Sequence, residues 1–117
     1  MDACEPFDTH LTPDEAHGRL VTTPWGAVGV FRRADGSFVA VDAWCPHLDG
    51  PLWEGSFGGE DELACPWHKW RYSLRTGACT WAPPHDADEA RASSVRVTPL
   101  AVGPRGTLVV AAGRGPA

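Results

Sequence analysis

The chain has 117 residues, of which 43% are hydrophobic and 21% charged, an ordinary globular composition for one domain and not that of a disordered segment. Its formal charge of −5 argues against non-specific nucleic-acid binding, which needs concentrated Lys and Arg, and suits docking onto a basic protein partner instead. No apolar run is long enough to span a bilayer, and the start Met1-Asp2-Ala3-Cys4-Glu5-Pro6 is acidic, so a cytoplasmic protein with no membrane contact is expected. Four cysteines in a reducing compartment fit metal ligation better than a disulfide framework.

Residues 1 to 11 lack periodicity and read as an extended lead-in. Thr12-Pro13-Asp14-Glu15 predicts a short helical turn, with Thr as cap, Pro at the first position and Glu three residues after the cap. From there the pattern changes to short β-rich runs with frequent turn residues, which predicts an all-β sandwich or barrel. Strands are expected at 19–23, 27–32 and 38–42, joined by turns at Pro24-Trp25-Gly26 and Asp35-Gly36. Shorter strands are expected at 62–64, 71–74 and 78–81, with a turn at Arg75-Thr76-Gly77. The stretch 81–92 carries Pro83-Pro84 and several acids and reads as a loop. Strands at 95–98, 100–102 and 107–110 follow, and the tail 113–117 reads as mobile. One domain over 1–117 is expected, with a subdomain at about 44–81 inserted into a β framework.

That insertion holds the chemistry. Cys45-Pro46-His47 is followed, after seventeen intervening residues, by Cys65-Pro66-Trp67-His68. Two thiolates and two imidazoles form the ligand set of a [2Fe–2S] cluster in which two histidines replace two cysteines on one iron. Such a centre moves one electron at a time. Zinc takes the same donor set, but its modules usually show tighter Cys-x-x-Cys or His-x3–5-His pairs. Pro46 and Pro66 stiffen the loops. Gly50 and Gly55 allow the first loop to fold tightly, and backbone N–H groups in such loops can point at sulfur. Trp44, Trp53, Trp67 and Trp70 surround the ligands in sequence and are expected to shield them from water.

The segment Trp44 to Gly77 resembles the Rieske family, and its soluble ferredoxin branch more closely than its respiratory branch. The resemblance rests on Cys-x-His, the spacing, Cys-x-x-His, Leu52 and Gly55, the aromatics Trp70 and Tyr72, and Thr76-Gly77. It implies a Rieske-like antiparallel β base carrying the cluster-binding subdomain. It implies one Rieske-type [2Fe–2S] cluster, with Cys45 and Cys65 on the inner iron and His47 and His68 on the outer, near the surface. It also implies a soluble one-electron carrier, not itself an enzyme, that passes electrons from a flavoprotein reductase to a terminal oxygenase.

Departures from the family refine this. Respiratory members carry a disulfide between the two loops, at places held here by Gly50 and Trp67. They also carry a serine that donates to a cluster sulfur, at the place of Trp70. Fewer donors leave the reduced cluster less stabilised, so a potential in the lower half of the Rieske range of about −150 to +300 mV is expected. A contact from Tyr72 to a cysteine sulfur would pull it upward, as would Lys69, which stands where related ferredoxins commonly have glycine.

The remaining candidates have plainer expectations. Cys4 reads as an exposed thiol and Cys79 as a small packed side chain. His10, His17 and His85 read as surface residues, Trp25 and Trp81 as packing residues, and the acidic runs 60–62 and 86–89 as solvated loops. The chain is too short to be an oxygenase itself and offers no two-histidine, one-carboxylate triad. The alternatives are the small subunit of a nitrite-reductase-like complex and a redox-sensing interaction module. The four intact candidate ligands weigh against the former, since many such subunits have lost theirs.

Overall fold

A computed structural model describes residues 7–46, 50–59 and 61–110. Among the described residues, ten strands form two antiparallel sheets. The six-stranded sheet has the order β1-β10-β9-β4-β3-β2, built from Phe7–Asp8, Leu108–Val110, Val97–Val102, Phe38–Asp42, Gly26–Arg32 and His17–Thr23 in that order. The four-stranded sheet runs β5-β6-β7-β8, from Ser56–Gly59, Glu62–Ala64, Arg71–Ser73 and Cys79–Trp81. The all-β fold expected from the sequence is therefore the fold of the chain. β4 pairs directly with β9, so everything between them in sequence is an insertion into the larger sheet.

The centre of the large sheet is buried on both faces, which explains its nearly unbroken apolar text. Successive side chains of a strand point to opposite faces. Accordingly Val28 and Val30 of β3 join one core with Ala40, Leu100, Leu108 and Val110. Phe31 of β3 joins the other with Val39 and Val41 of β4. This second core continues into the insertion through Leu52, Leu63, Trp70, Tyr72 and Leu74, and both Cys45 and Cys65 belong to it. A one-residue slip in β4 would exchange the two cores, so the register also places the cysteines.

The expected turn at 12–15 is a 3-10 turn over Pro13–Glu15, where the Glu15 carboxylate accepts the Thr12 N–H at 2.9 Å. Three expectations need correction. The break placed at Pro99 is absent, and Val97–Val102 is one strand. Asp42 N donates to Arg96 O, which makes Val39↔Pro99 a non-bonding pair by alternation, so the missing proline N–H removes no bond to β4. The lead-in contributes a strand, with Phe7 opposite Val110, and residues 56–59 form another, β5. Two glycines in four residues gave β5 little intrinsic strand character; pairing with β6 supplies it. The stretch read as a loop contains a 3-10 turn at Pro84–Asp86 and a short helix α1 at Ala87–Arg91. Pro84 occupies a first helical position, where its lack of an N–H is harmless. The tail 113–117 and Cys4 lie outside the described residues.

Candidate metal centre

Two loops meet at the end of the small sheet. The first leaves β4 through Ala43 and is closed at its base by a bridge between Trp44 and Pro51 and by Cys45 N donating to Gly50 O at 2.7 Å. Cys45 is fully buried. His47 lies outside the described residues, as do Leu48 and Asp49. The second loop links β6 to β7. Cys65, also fully buried, donates its N–H to Trp70 O at 2.8 Å, and its carbonyl accepts from Lys69 N at 2.9 Å. That turn needs a left-handed residue, and Lys69 has φ 65°. The family's usual glycine at this place thus has a conformational cause, and Lys69 adopts the same geometry at a cost.

Gly50 joins the loops. A Cβ on it would lie 2.8 Å from Cys65 Sγ and 3.3 Å from Trp67 Cβ. A Cβ there could not be placed without shifting the Cys65 sulfur, so glycine lets the first loop sit directly against the second cysteine. The second distance is slightly shorter than the roughly 3.5–4.5 Å that separates the Cβ atoms of a disulfide. Gly50 and Trp67 are thus spatial neighbours at the position where the respiratory relatives would place their brace.

His68 follows with its Nδ1 buried, although the residue as a whole is only half-buried, so that nitrogen faces inward. Trp67 stacks edge-on to it with ring centroids 6.4 Å apart. The expected aromatic shield is only partly present. Trp70 is buried and Trp53 half-buried, but Trp67 is 61% exposed and Trp44 47% exposed. These two rings form an exposed aromatic rim.

Beneath the cysteines, β7 presents Tyr72, fully buried, with its hydroxyl 3.4 Å from Cys45 Sγ. Burial, and then the sulfur contact, push its ionisation well above the ordinary tyrosine range, so the hydroxyl keeps its proton. Trp70 does not replace the missing serine donor: its indole N–H donates to Asp86 at 3.0 Å. Asp86 and Ser93 are the residues that sequence inspection missed. Asp86 looked like part of a solvated acidic run, and no local signal tied Ser93 to a tyrosine twenty-one residues away.

Asp61 was also expected in solvent, yet its side chain is 5% exposed. It accepts from Ala34 N at 2.7 Å and pairs with Arg75 at 2.9 Å, tying the β3–β4 turn to the small sheet. Other expectations fit what is seen. Cys79 packs against the core, and burial raises its thiol pKa. His10, His17 and His85 are exposed. Trp25 packs edge-on against Phe7, whereas Trp81, expected as a packing residue, is exposed and lies under the Arg71 guanidinium.

The two loops thus carry two buried thiols, a phenol against one sulfur and an imidazole nitrogen turned inward, the donor types of a mixed sulfur–nitrogen metal site on a β domain. Among the described residues none of the cysteines is in a disulfide, so the thiols suit a thiophilic metal. The chain belongs to the Rieske [2Fe-2S] domain family, whose sequence model matches residues 8–101. It is similar to a cholesterol 7-desaturase of Xenopus laevis, 38% identical over 77 residues that make up 66% of this chain but 17% of that protein. Among solved structures, the ferredoxin of carbazole 1,9a-dioxygenase from Nocardioides aromaticivorans superposes with a TM-score of 0.71 at 28% identity, over 92% of this chain and 98% of that one. A Mycobacterium tuberculosis protein described as an NADH-dependent nitrite reductase small subunit superposes with a TM-score of 0.72 at 25% identity, over 93% and 96%.

Proposed function

We propose that this domain is a one-electron carrier whose Rieske-type [2Fe–2S] cluster is held by Cys45, His47, Cys65 and His68. The observation that carries this is the burial of both thiols in one core, with Gly50 of the first loop against the Cys65 sulfur and the His68 Nδ1 buried on the same loop as Cys65. Cys45 and Cys65 would hold the cluster's sulfur side, and His68 with His47 the half-exposed side. Bound there, the cluster would supply reversible one-electron chemistry. The chain contributes burial of the sulfur ligands, an aromatic hydroxyl on Cys45 and an exposed rim at Trp44 and Trp67.

We place this carrier between a flavoprotein reductase and a terminal oxygenase, as a single domain working in the reducing cytoplasm. Support comes from the near full-length likeness to the ferredoxin of a dioxygenase. Anaerobically purified protein should carry about two irons and show visible absorption that bleaches on one-electron reduction, with the EPR signal of a mixed nitrogen–sulfur cluster. A colourless protein with stoichiometric zinc would end this reading. Transfer of electrons from a flavoprotein reductase to an oxygenase, lost in His68→Ala, would test the role.

A second reading is favoured by one observation, the equally full-length likeness to the nitrite reductase small subunit. An obligate subunit should copurify with a large partner from its native host, whereas a shuttling ferredoxin should come away alone.

A further inference from the structure

Resting on that reading, we propose that Ser93 is a positioning residue that aims the Tyr72 proton at the Cys45 sulfur and so raises the reduction potential of the centre. The geometry is a chain of three side chains. Tyr72 Oη lies 3.4 Å from Cys45 Sγ and 3.0 Å from Ser93 Oγ. A tyrosine hydroxyl has one proton to share between these two neighbours. A cysteine that ligates a metal does so as thiolate and can only accept. The Tyr72 proton therefore goes to sulfur, and the Ser93 hydroxyl must donate to the Tyr72 oxygen. Donation to an oxygen that is itself donating strengthens the onward bond, because the dipoles align head to tail.

Ser93 is fixed for this task by its backbone. Its N–H donates to Ala90 O at 3.0 Å, at the end of α1, and its carbonyl accepts from Cys79 N at 3.2 Å, on β8. The same segment is pinned at its other end, where Asp86 accepts the Trp70 indole N–H. The helix following the prolines thus delivers a hydroxyl to the buried tyrosine. Hydrogen bonds to a ligand sulfur favour the reduced, more negative state, so losing part of one lowers the potential.

The test is a double-mutant cycle on loaded protein, read as the midpoint potential in a spectroelectrochemical titration, with iron content and circular dichroism confirming intact protein. Ser93→Ala should shift the potential downward by a fraction of the shift that Tyr72→Phe causes. In the Tyr72→Phe background the same substitution should shift nothing further. Ser93→Thr, which keeps the hydroxyl, should hold the wild-type potential. An unchanged potential in Ser93→Ala, or an equal shift with and without the Tyr72 hydroxyl, overturns the role of Ser93 while leaving the electron carrier in place. Should Ser93→Ala fail to fold, Ser93→Thr against Ser93→Val decides, as the pair differs by the hydroxyl alone. A wild-type protein that takes up no iron overturns the carrier and the proposal together.

Discussion

The two sheets are held together by different means. The large one has central strands of five to seven residues and buries both faces of β3 and β4, so apolar packing dominates it, with Arg96 on Asp42 as a polar tie at one end. The small one has strands of three or four residues, too short to stabilise one another by alternation. It packs one face into the second core through Leu63, Tyr72 and Leu74 and is further bolted down by single polar contacts: Asp61 to Ala34 and Arg75, Arg33 to Leu74 O, Trp70 to Asp86, Tyr72 to Ser93. With shorter strands and one buried face, it would draw part of its order from a bound centre.

The largest effect should come from removing a ligand. Cys65→Ser should abolish the visible chromophore and the bound iron. Hydrogen exchange should then rise in β6 and β7 well before it rises in β3 and β4, since the larger sheet keeps both cores. Equal loosening of both sheets would erase the distinction drawn here.

Next comes Gly77→Ala. Gly77 has φ 80°, and a Cβ on it would collide with Val95 O, the carbonyl beside the Gly77 O–Val95 N bond. That bond fastens the end of the small sheet to the strand returning to the large one. Backbone cannot swing aside as a flexible side chain would, so the cost should be on the order of 2–4 kcal/mol. Urea unfolding would measure it; a loss under about 0.5 kcal/mol would mean the turn yields freely.

These contrasts explain what the sequence disclosed. β4 was legible to the residue, Phe38–Asp42, because a short apolar, β-branched run and the Asp35-Gly36 turn agree. β6 was equally plain between its acidic run and Cys65. The two Cys–His pairs stood out by their spacing, and Cys45, Cys65 and the His68 Nδ1 are buried in the structure. β5 and α1 were not, since glycines in one and prolines before the other oppose the local signal and only tertiary contacts overrule it. The polar bolts were invisible for a further reason. Asp61 and Asp86 each stand in an acidic run, and nothing local separates a buried carboxylate from a solvated neighbour. Trp67 failed in the opposite sense: an aromatic next to a ligand suggested burial, yet it is 61% exposed.

A smaller effect should follow from cutting one bolt. Asp61→Ala strips the acceptor from Ala34 N–H and leaves Arg75 without its carboxylate. Since Asp61 is buried, the unsatisfied N–H should cost roughly 1–3 kcal/mol. Arg75→Ala should cost less, because its side chain is 58% exposed and the ion pair is screened on that side. A reversed order would place the energy in the charge pair and not in the backbone bond.

The smallest effect should be a gain. Lys69 sits in the left-handed region at φ 65°, between Cys65, whose carbonyl its N–H meets, and Trp70, whose carbonyl accepts from Cys65 N. The second ligand loop cannot close without that conformation, so the strain of a side chain there is carried by the folded state alone. Lys69→Gly removes the strain but adds freedom to the unfolded chain, so the net gain should be limited to about 0.5–1 kcal/mol. Lys69→Asn separates strain from charge, since asparagine tolerates positive φ and also lacks the ammonium. If the lysine is retained for its charge beside the half-exposed imidazole, both variants should lower the potential by the same amount while differing in stability. If both leave the potential where it was, the ammonium is too well solvated to act on the centre, and Lys69 is explained by neither strain nor electrostatics.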